Sequence, residues 1–136
     1  MTLTGGDTSI PYAGAPGWVD LPGLSTSFNA PIAGRIVISY NAIFQNGDTG
    51  TCTVIVRAVV NDTVGLVQTV GAIPASGTSS VSQTIDAGIT TVANQTVPIK
   101  LQAYNGNSFC PNLSMAATNW GGGLWATTMT LMLLAI

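Results

Sequence analysis

The sequence predicts an all-β fold, a two-sheet antiparallel β-sandwich of jelly-roll type, on three observations. No segment sustains an apolar i, i+3, i+4, i+7 pattern. Gly, Thr, Val and Asn stand where Ala, Leu, Glu and Lys would support a helix. About eight short runs alternate apolar with polar residues and stop at Asn, Asp or Gly turns, the spacing of a sandwich. With 136 residues the chain suits one domain with a two-layer core.

Residues 1–24 differ from the rest. Gly5, Gly6, Pro11, Gly14, Pro16, Gly17, Pro22 and Gly23 interrupt any regular element there. They are expected as an extended N-terminal arm, and residues 25–136 as the sandwich domain. A Gly/Pro-rich terminus stays ordered only when tied down. Tyr12, Trp18 and Leu21 are the candidate anchors, docking the arm on a neighbouring subunit or coat protein.

Along the domain, Arg35 to Phe44 sets Ile36, Ile38, Tyr40, Ala42 and Phe44 on one face and Val37, Ser39, Asn41 and Ile43 on the other, a strand with one wholly apolar face. It stops at Asn46-Gly47-Asp48, residues that tolerate positive φ. Thr51 to Val60 alternates Cys52, Val54, Val56, Ala58 and Val60 with Thr53, Ile55, Arg57 and Val59, and Asn61-Asp62 turns the chain into Thr63 to Val70. Gly71 to Ser79 is expected as a loop. Ser80 to Ile85 is a short strand ended by a turn at Asp86-Ala87-Gly88. Val97, Ile99, Leu101 and Ala103 alternate with Pro98, Lys100, Gln102 and Tyr104, and Pro98 places the start of that strand at a sheet edge.

Asn105-Gly106-Asn107 turns again, Leu113 to Ala117 is a short strand, and Trp120 to Trp125 is a loop of three glycines between tryptophans. Ala126 to Ile136 is apolar on both faces. A strand of that kind must be covered on both sides, and in a two-sheet domain only one side meets the core. Its other face is the expected subunit contact.

The chain has no histidine, no glutamate and only three basic and five acidic side chains, while 46% of it is hydrophobic. General acid–base catalysis needs a tuned carboxylate or imidazole, and a nucleophilic Ser or Cys needs a base in reach. Five scattered aspartates supply neither, so no enzyme is expected and no cofactor. Three cations cannot neutralise a phosphate track, which excludes a nucleic-acid partner. The longest apolar run, Leu124 to Ile136, falls short of the roughly 20 residues of a membrane-spanning helix. The N-terminus lacks the basic and apolar regions of a signal peptide, so assembly in a cytoplasm is expected. A surface with far less than the usual 25% or so of charged residues points to a protein that buries itself against copies or a larger assembly.

Cys52 and Cys110 are the only cysteines. A cytoplasmic origin favours two buried thiols acting as small apolar groups; a disulfide closing the long loop between them is the alternative. Asp48, beside Asn46 and Thr49, reads as a turn and not a cation site, since one carboxylate seldom holds calcium. Asn61, Asn94 and Asn112 begin glycosylation-like triplets that have no meaning without a secretory route. Trp120 and Trp125 are the candidate ligand or partner contacts, able to stack on a sugar ring or anchor an interface.

The segments Ser27-Phe28-Asn29-Ala30-Pro31, Ala33 to Ser39, Val54 to Asp62, Val97 to Ala103 and Thr128 to Leu134 resemble, in their order, the jelly-roll heads of the tumour-necrosis-factor and complement-head superfamily. Similar stretches occur in bacterial and bacteriophage surface proteins. The resemblance implies a trimer with the closing strand near the threefold axis, and hence Met129, Thr130, Leu131, Met132, Leu133 and Leu134 as the trimer-interface residues. A collagen-like stalk and calcium-binding acidic clusters have no counterpart in this sequence. In size and architecture the chain also looks like the decoration or cement proteins of phage capsids. The expected function is therefore a homotrimeric virion decoration protein on the virion surface, with a major capsid protein as partner. The alternative is the receptor- or carbohydrate-binding head of a phage fibre or bacterial surface protein.

Overall fold

The computed structural model describes residues 1–12, 17–117 and 126–135; the side chains of 65–67 and 87–91 lie outside the described set. The described residues contain ten strands: β1 (Thr2–Thr4), β2 (Thr8–Ser9), β3 (Val19–Ala30), β4 (Gly34–Asn46), β5 (Cys52–Val60), β6 (Thr63–Ile73), β7 (Gly77–Thr91), β8 (Gln95–Asn105), β9 (Leu113–Ala116) and β10 (Thr128–Ala135). They form two antiparallel sheets and no helix.

One sheet is organised on β4. Along one edge β4 pairs with β7, from Gly34↔Thr91 to Asn46↔Gly77. Its other edge is shared by β10, opposite Gly34 to Asn41, and β9, opposite Ile43 to Asn46. The short strands β1 and β2 extend β10 and β9 outward. The second sheet runs β3-β8-β5-β6.

The apolar alternations of the sequence face each other across the gap. Ile36, Ile38, Ala42 and Phe44 of β4 meet Val54, Val56, Val97, Leu101 and Ala103 of the β8 sheet, all fully buried. Burying each of the larger ones, the valines, isoleucines, leucine and phenylalanine, stabilises the fold by about 1.5–3 kcal/mol. Tyr40 is the polar exception on that face, and its hydroxyl donates to Thr69 Oγ1 at 2.8 Å. Burial pushes the Tyr40 phenol up from its ordinary value, partly offset by that bond.

The described residues of the stretch 1–24, namely 1–12 and 17–24, do not stand apart as an arm in this structure. They supply β1, β2 and the first part of β3, and Ile10, Leu21 and Leu24 are fully buried. The glycines and prolines that break helices and long strands leave an extended chain free to hydrogen-bond edge to edge. Gly5 N donates to Thr127 O at 2.8 Å, Gly6 N to Pro22 O at 2.9 Å and Ile10 N to Leu113 O at 2.8 Å. Gly23 sits at φ +78°, and a Cβ there would run into Thr4 O. The Pro22-Gly23 pair occupies the register shift between Asp20 and Ser25, a bulge inside β3.

Three smaller expectations also change. Asp86-Ala87-Gly88 does not end its strand: β7 continues to Thr91, and its pairing steps from Val37↔Asp86 to Arg35↔Thr90. Turn-forming residues here make a bulge. The loop expected over Gly71 to Ser79 shrinks to Pro74–Ser76, because β6 runs on to Ile73. A Cβ at Gly71 would strike Val81 Cγ2, so that glycine admits β7 close against β6. Pro98 lies in β8, a central strand; opposite it stands Ser27 on one side, while pairing with β5 ends at Ile99. It needs no amide hydrogen there.

Cys52 and Cys110 are joined as a disulfide across a sequence separation of 58, both fully buried. The thiol reading favoured by a cytoplasmic origin therefore gives way to the alternative. The bridge fastens the Asn105–Cys110 loop to the start of β5. Asn105, also fully buried, donates from Nδ2 to Ile10 O at 3.0 Å and to Cys110 O at 2.7 Å.

Candidate functional site

Two sheet faces remain for contact with anything else, and they differ in chemistry. The outer face of the β4 sheet carries short uncharged polar side chains in rows across the strands. Thr2, Thr130, Ser39 and Thr84 form one row, and Thr4, Thr128, Asn41 and Ser82 the next. Neighbours in these rows bond each other: Thr2 and Thr130 hydroxyls lie 3.2 Å apart, Thr84 donates to Ser39 at 3.2 Å, and Ser82 donates to Asn41 Oδ1. Beyond them the face becomes apolar. Met132 is 42% and Leu134 51% exposed, opposite Val37 and Arg35. Arg35 forms an exposed ion pair with Asp86 at 2.7 Å.

The six candidate interface residues of β10 thus divide by strand parity. Met129 and Leu131 are buried in the core of their own sandwich and cannot reach a neighbour, while Leu133 is partly buried and packs against that core. Thr130, Met132 and Leu134 point outward. Of the arm anchors, Leu21 is a core residue, Tyr12 is 40% exposed and Trp18 lies on the other sheet. Trp120 and Trp125 fall outside the described residues.

The outer face of the β8 sheet gathers charge and aromatic surface. Asp20, Gln102 and Arg57 are direct cross-strand neighbours on β3, β8 and β5. Arg57 Nε donates to Gln102 Oε1 at 2.9 Å, and Gln102 Nε2 to Asp20 Oδ1 at 2.7 Å. Lys100 Nζ reaches Asp20 Oδ1 at 3.2 Å and Oδ2 at 3.3 Å. The Gln102 hydrogen bond holds the Asp20 carboxyl below its ordinary value, with help from Lys100 and against partial desolvation. Partial burial moves the Arg57 guanidinium down as well. Trp18 lies with its ring 3.9 Å from Arg57 Cζ, and Tyr104 stands beside it with ring centroids 5.6 Å apart at 44°.

Sequence reasoning placed Lys100, Gln102 and Tyr104 on one face of their strand, and Arg57 on the matching face of its own, without joining them. The signal that could have joined them is the β5–β8 register, and nothing local in either strand sets it. At one end of the sandwich, Asp48 is a turn residue with both carboxylate oxygens engaged: Asn112 N donates to Oδ2 at 2.9 Å and Asn112 Nδ2 to Oδ1 at 3.0 Å. The nearby sulfurs of Cys52 and Cys110 are tied up in their disulfide.

No family model matches the chain, and neither does any curated protein. Among solved structures, that of infectious bursal disease virus, Gx strain, aligns with 96% of the chain at TM-score 0.48 and 10% identity. The crystal structure of the VP2 subviral particle of that virus aligns at TM-score 0.44 and 13% identity. This chain spans 36% of the length of each of those viral chains. The family 35 carbohydrate-binding module, CBM35, from Cellvibrio japonicus Abf62 aligns with 98% of the chain and 96% of its own length, at TM-score 0.34 and 14% identity. Likenesses this distant concern sandwich architecture and carry no functional argument.

Proposed function

We propose that this protein is a non-enzymatic assembly subunit, a β-sandwich of jelly-roll type that acts as a homotrimer at the surface of a larger particle. The observation that carries the reading is the outer face of the β4 sheet, where Met132 and Leu134 stand exposed beside rows of uncharged hydroxyl side chains. A surface of this kind loses little on desolvation, because its polar groups already bond one another. Burying Met132 and Leu134 in each copy would contribute about 1.5–3 kcal/mol per side chain. The scarcity of charge agrees with a surface meant to be covered. The particle that the family resemblance points to is a virion of a bacteriophage, with a capsid protein as the neighbour.

Size-exclusion chromatography with light scattering at micromolar concentration tests the assembly. Three times the chain mass is the expected reading for the native protein. Met132→Asp and Leu134→Asp should each yield folded monomers, because an unpaired carboxylate cannot be buried at the contact. A native protein that runs as a monomer sinks the proposal.

A further inference from the structure

We infer that the outer face of the β8 sheet, around Trp18, is a binding site for neutral saccharides. It lies on the opposite side of the sandwich from the Met132 and Leu134 surface, so it does not depend on the assembly reading and stays open if that reading holds.

A sugar ring has an apolar face of C–H groups and a rim of hydroxyls that both donate and accept. A site for it needs an aromatic surface beside polar groups of both kinds, already fixed in place. Trp18 and Tyr104 provide adjacent rings at 5.6 Å. The Arg57 guanidinium stacks on the indole, and Trp18 stays partly exposed, so part of its surface is open to a ligand. Beside the rings runs the chain of bonds from Arg57 through Gln102 to Asp20 and Lys100. Each member restrains the next, so a ligand need not bear the full entropy of freezing long side chains.

The platform continues into a depression of ≈ 390 Å³ that Lys100 borders together with Ser25, Ser27, Asp62 and Pro98. That volume falls in the range of about 300–1,000 Å³ usual for small-molecule sites. Its wall again combines hydroxyls, one charge of each sign and an apolar surface. Arg57 and Lys100 are balanced by Asp20 and Asp62, so the site has no net charge and favours a neutral ligand. Three of the chain's eight charged side chains, Asp20, Arg57 and Lys100, meet in one hydrogen-bonded row. In a protein otherwise so poor in charge, that concentration calls for a purpose beyond solubility.

Soluble cello-, xylo-, manno- and galacto-oligosaccharides, with sialyllactose as an anionic arm, should be titrated into the 15N-labelled full chain and followed by amide chemical shifts. At least one neutral probe should shift Asp20, Lys100, Gln102 and Tyr104 amides and the Trp18 indole. Trp18→Ala should weaken that binding by about tenfold or more, as loss of a central aromatic contact does, and Trp18→Phe should restore part of it. Lys100→Gln, at a partly exposed position that leaves the fold intact, should weaken it as well, while Thr130→Ala on the opposite sheet should not. No shifts with any neutral probe at millimolar concentration, shifts confined to other surfaces, or a response to sialyllactose alone would each overturn the assignment.

Discussion

Replacing both Cys52 and Cys110 by alanine removes a cross-link buried in the core, and the cost follows from the loop it closes. The two residues are 58 positions apart, and the chain-entropy relation assigns a loop of that length about 4 kcal/mol at 25 °C. Unfolding entropy of about 2.1 cal/mol/K per residue, taken over 136 residues, amounts to about 0.29 kcal/mol/K. The double variant should therefore melt about 14 °C below the oxidised protein, and the lost packing of two fully buried sulfurs adds to the deficit. Differential scanning calorimetry measures this, and reduction of the native protein in denaturant followed by refolding under reductant should reproduce most of it. Two free thiols per chain titrating in the denatured, unreduced protein, or a double variant with an unchanged Tm, would refute the reasoning.

Deleting residues 1–10 should destabilise the whole domain, since it exposes the β9 and β10 edges and removes Ile10 from the core; an unchanged urea midpoint would contradict the placement of β1 and β2. Gly23→Val should cost at least about 1 kcal/mol, through its positive φ and the clash with Thr4 O, read as a lower urea midpoint with the slope preserved. Asp20 has a folded-state pKa depressed below its ordinary 3.8, so its contribution is present above that pH and is lost as the pH falls through the folded value. Asp20→Asn should accordingly lower Tm at neutral pH and flatten its decline below pH 3.8, by a small amount because the side chain is 58% exposed and solvent screens the pair. Identical pH profiles for the two proteins would count against it.

Period-two alternation was enough to find β4, β5, β8 and β10, and in β4, with its one wholly apolar face, to say which side chains face inward, because burial of one face is what orders a strand. The Asn61-Asp62 hairpin was equally plain, and both residues do adopt positive φ, at 51° and 62°. The first strands were hidden because β1, β2 and the start of β3 owe their existence to partners over 80 positions away. Gly5, Pro22 and Gly23 look like breaks until Thr127 and Thr4 are beside them. The Trp18 cluster was illegible for the same reason: Trp18, Arg57 and Tyr104 meet only when β3, β8 and β5 are in register, and each alone resembles an ordinary surface residue. The two-sided apolar character of β10 was visible from sequence, whereas the assignment of Met129 and Leu131 to its inner side needed the β4 pairing.

The distribution of strands between the sheets also imposes an order on how the chain can fold as it is synthesised. Every strand of the β8 sheet has been made once Asn105 emerges, and its largest contiguous piece, the β5–β6 hairpin, is local. The β4 sheet is different. Half of one edge of β4 waits for β10, and β1 waits with it, over a separation of about 125 residues whose closure is entropically slow. Until then the inner face of β4 lacks Met129 and Leu131, and Ile36 and Ile38 stand beside an unpaired strand edge. The nascent protein therefore carries a sticky, incomplete sheet until β10 has been made. Truncation inside β10 should damage yield and solubility far more than the loss of the same number of residues from an exposed loop.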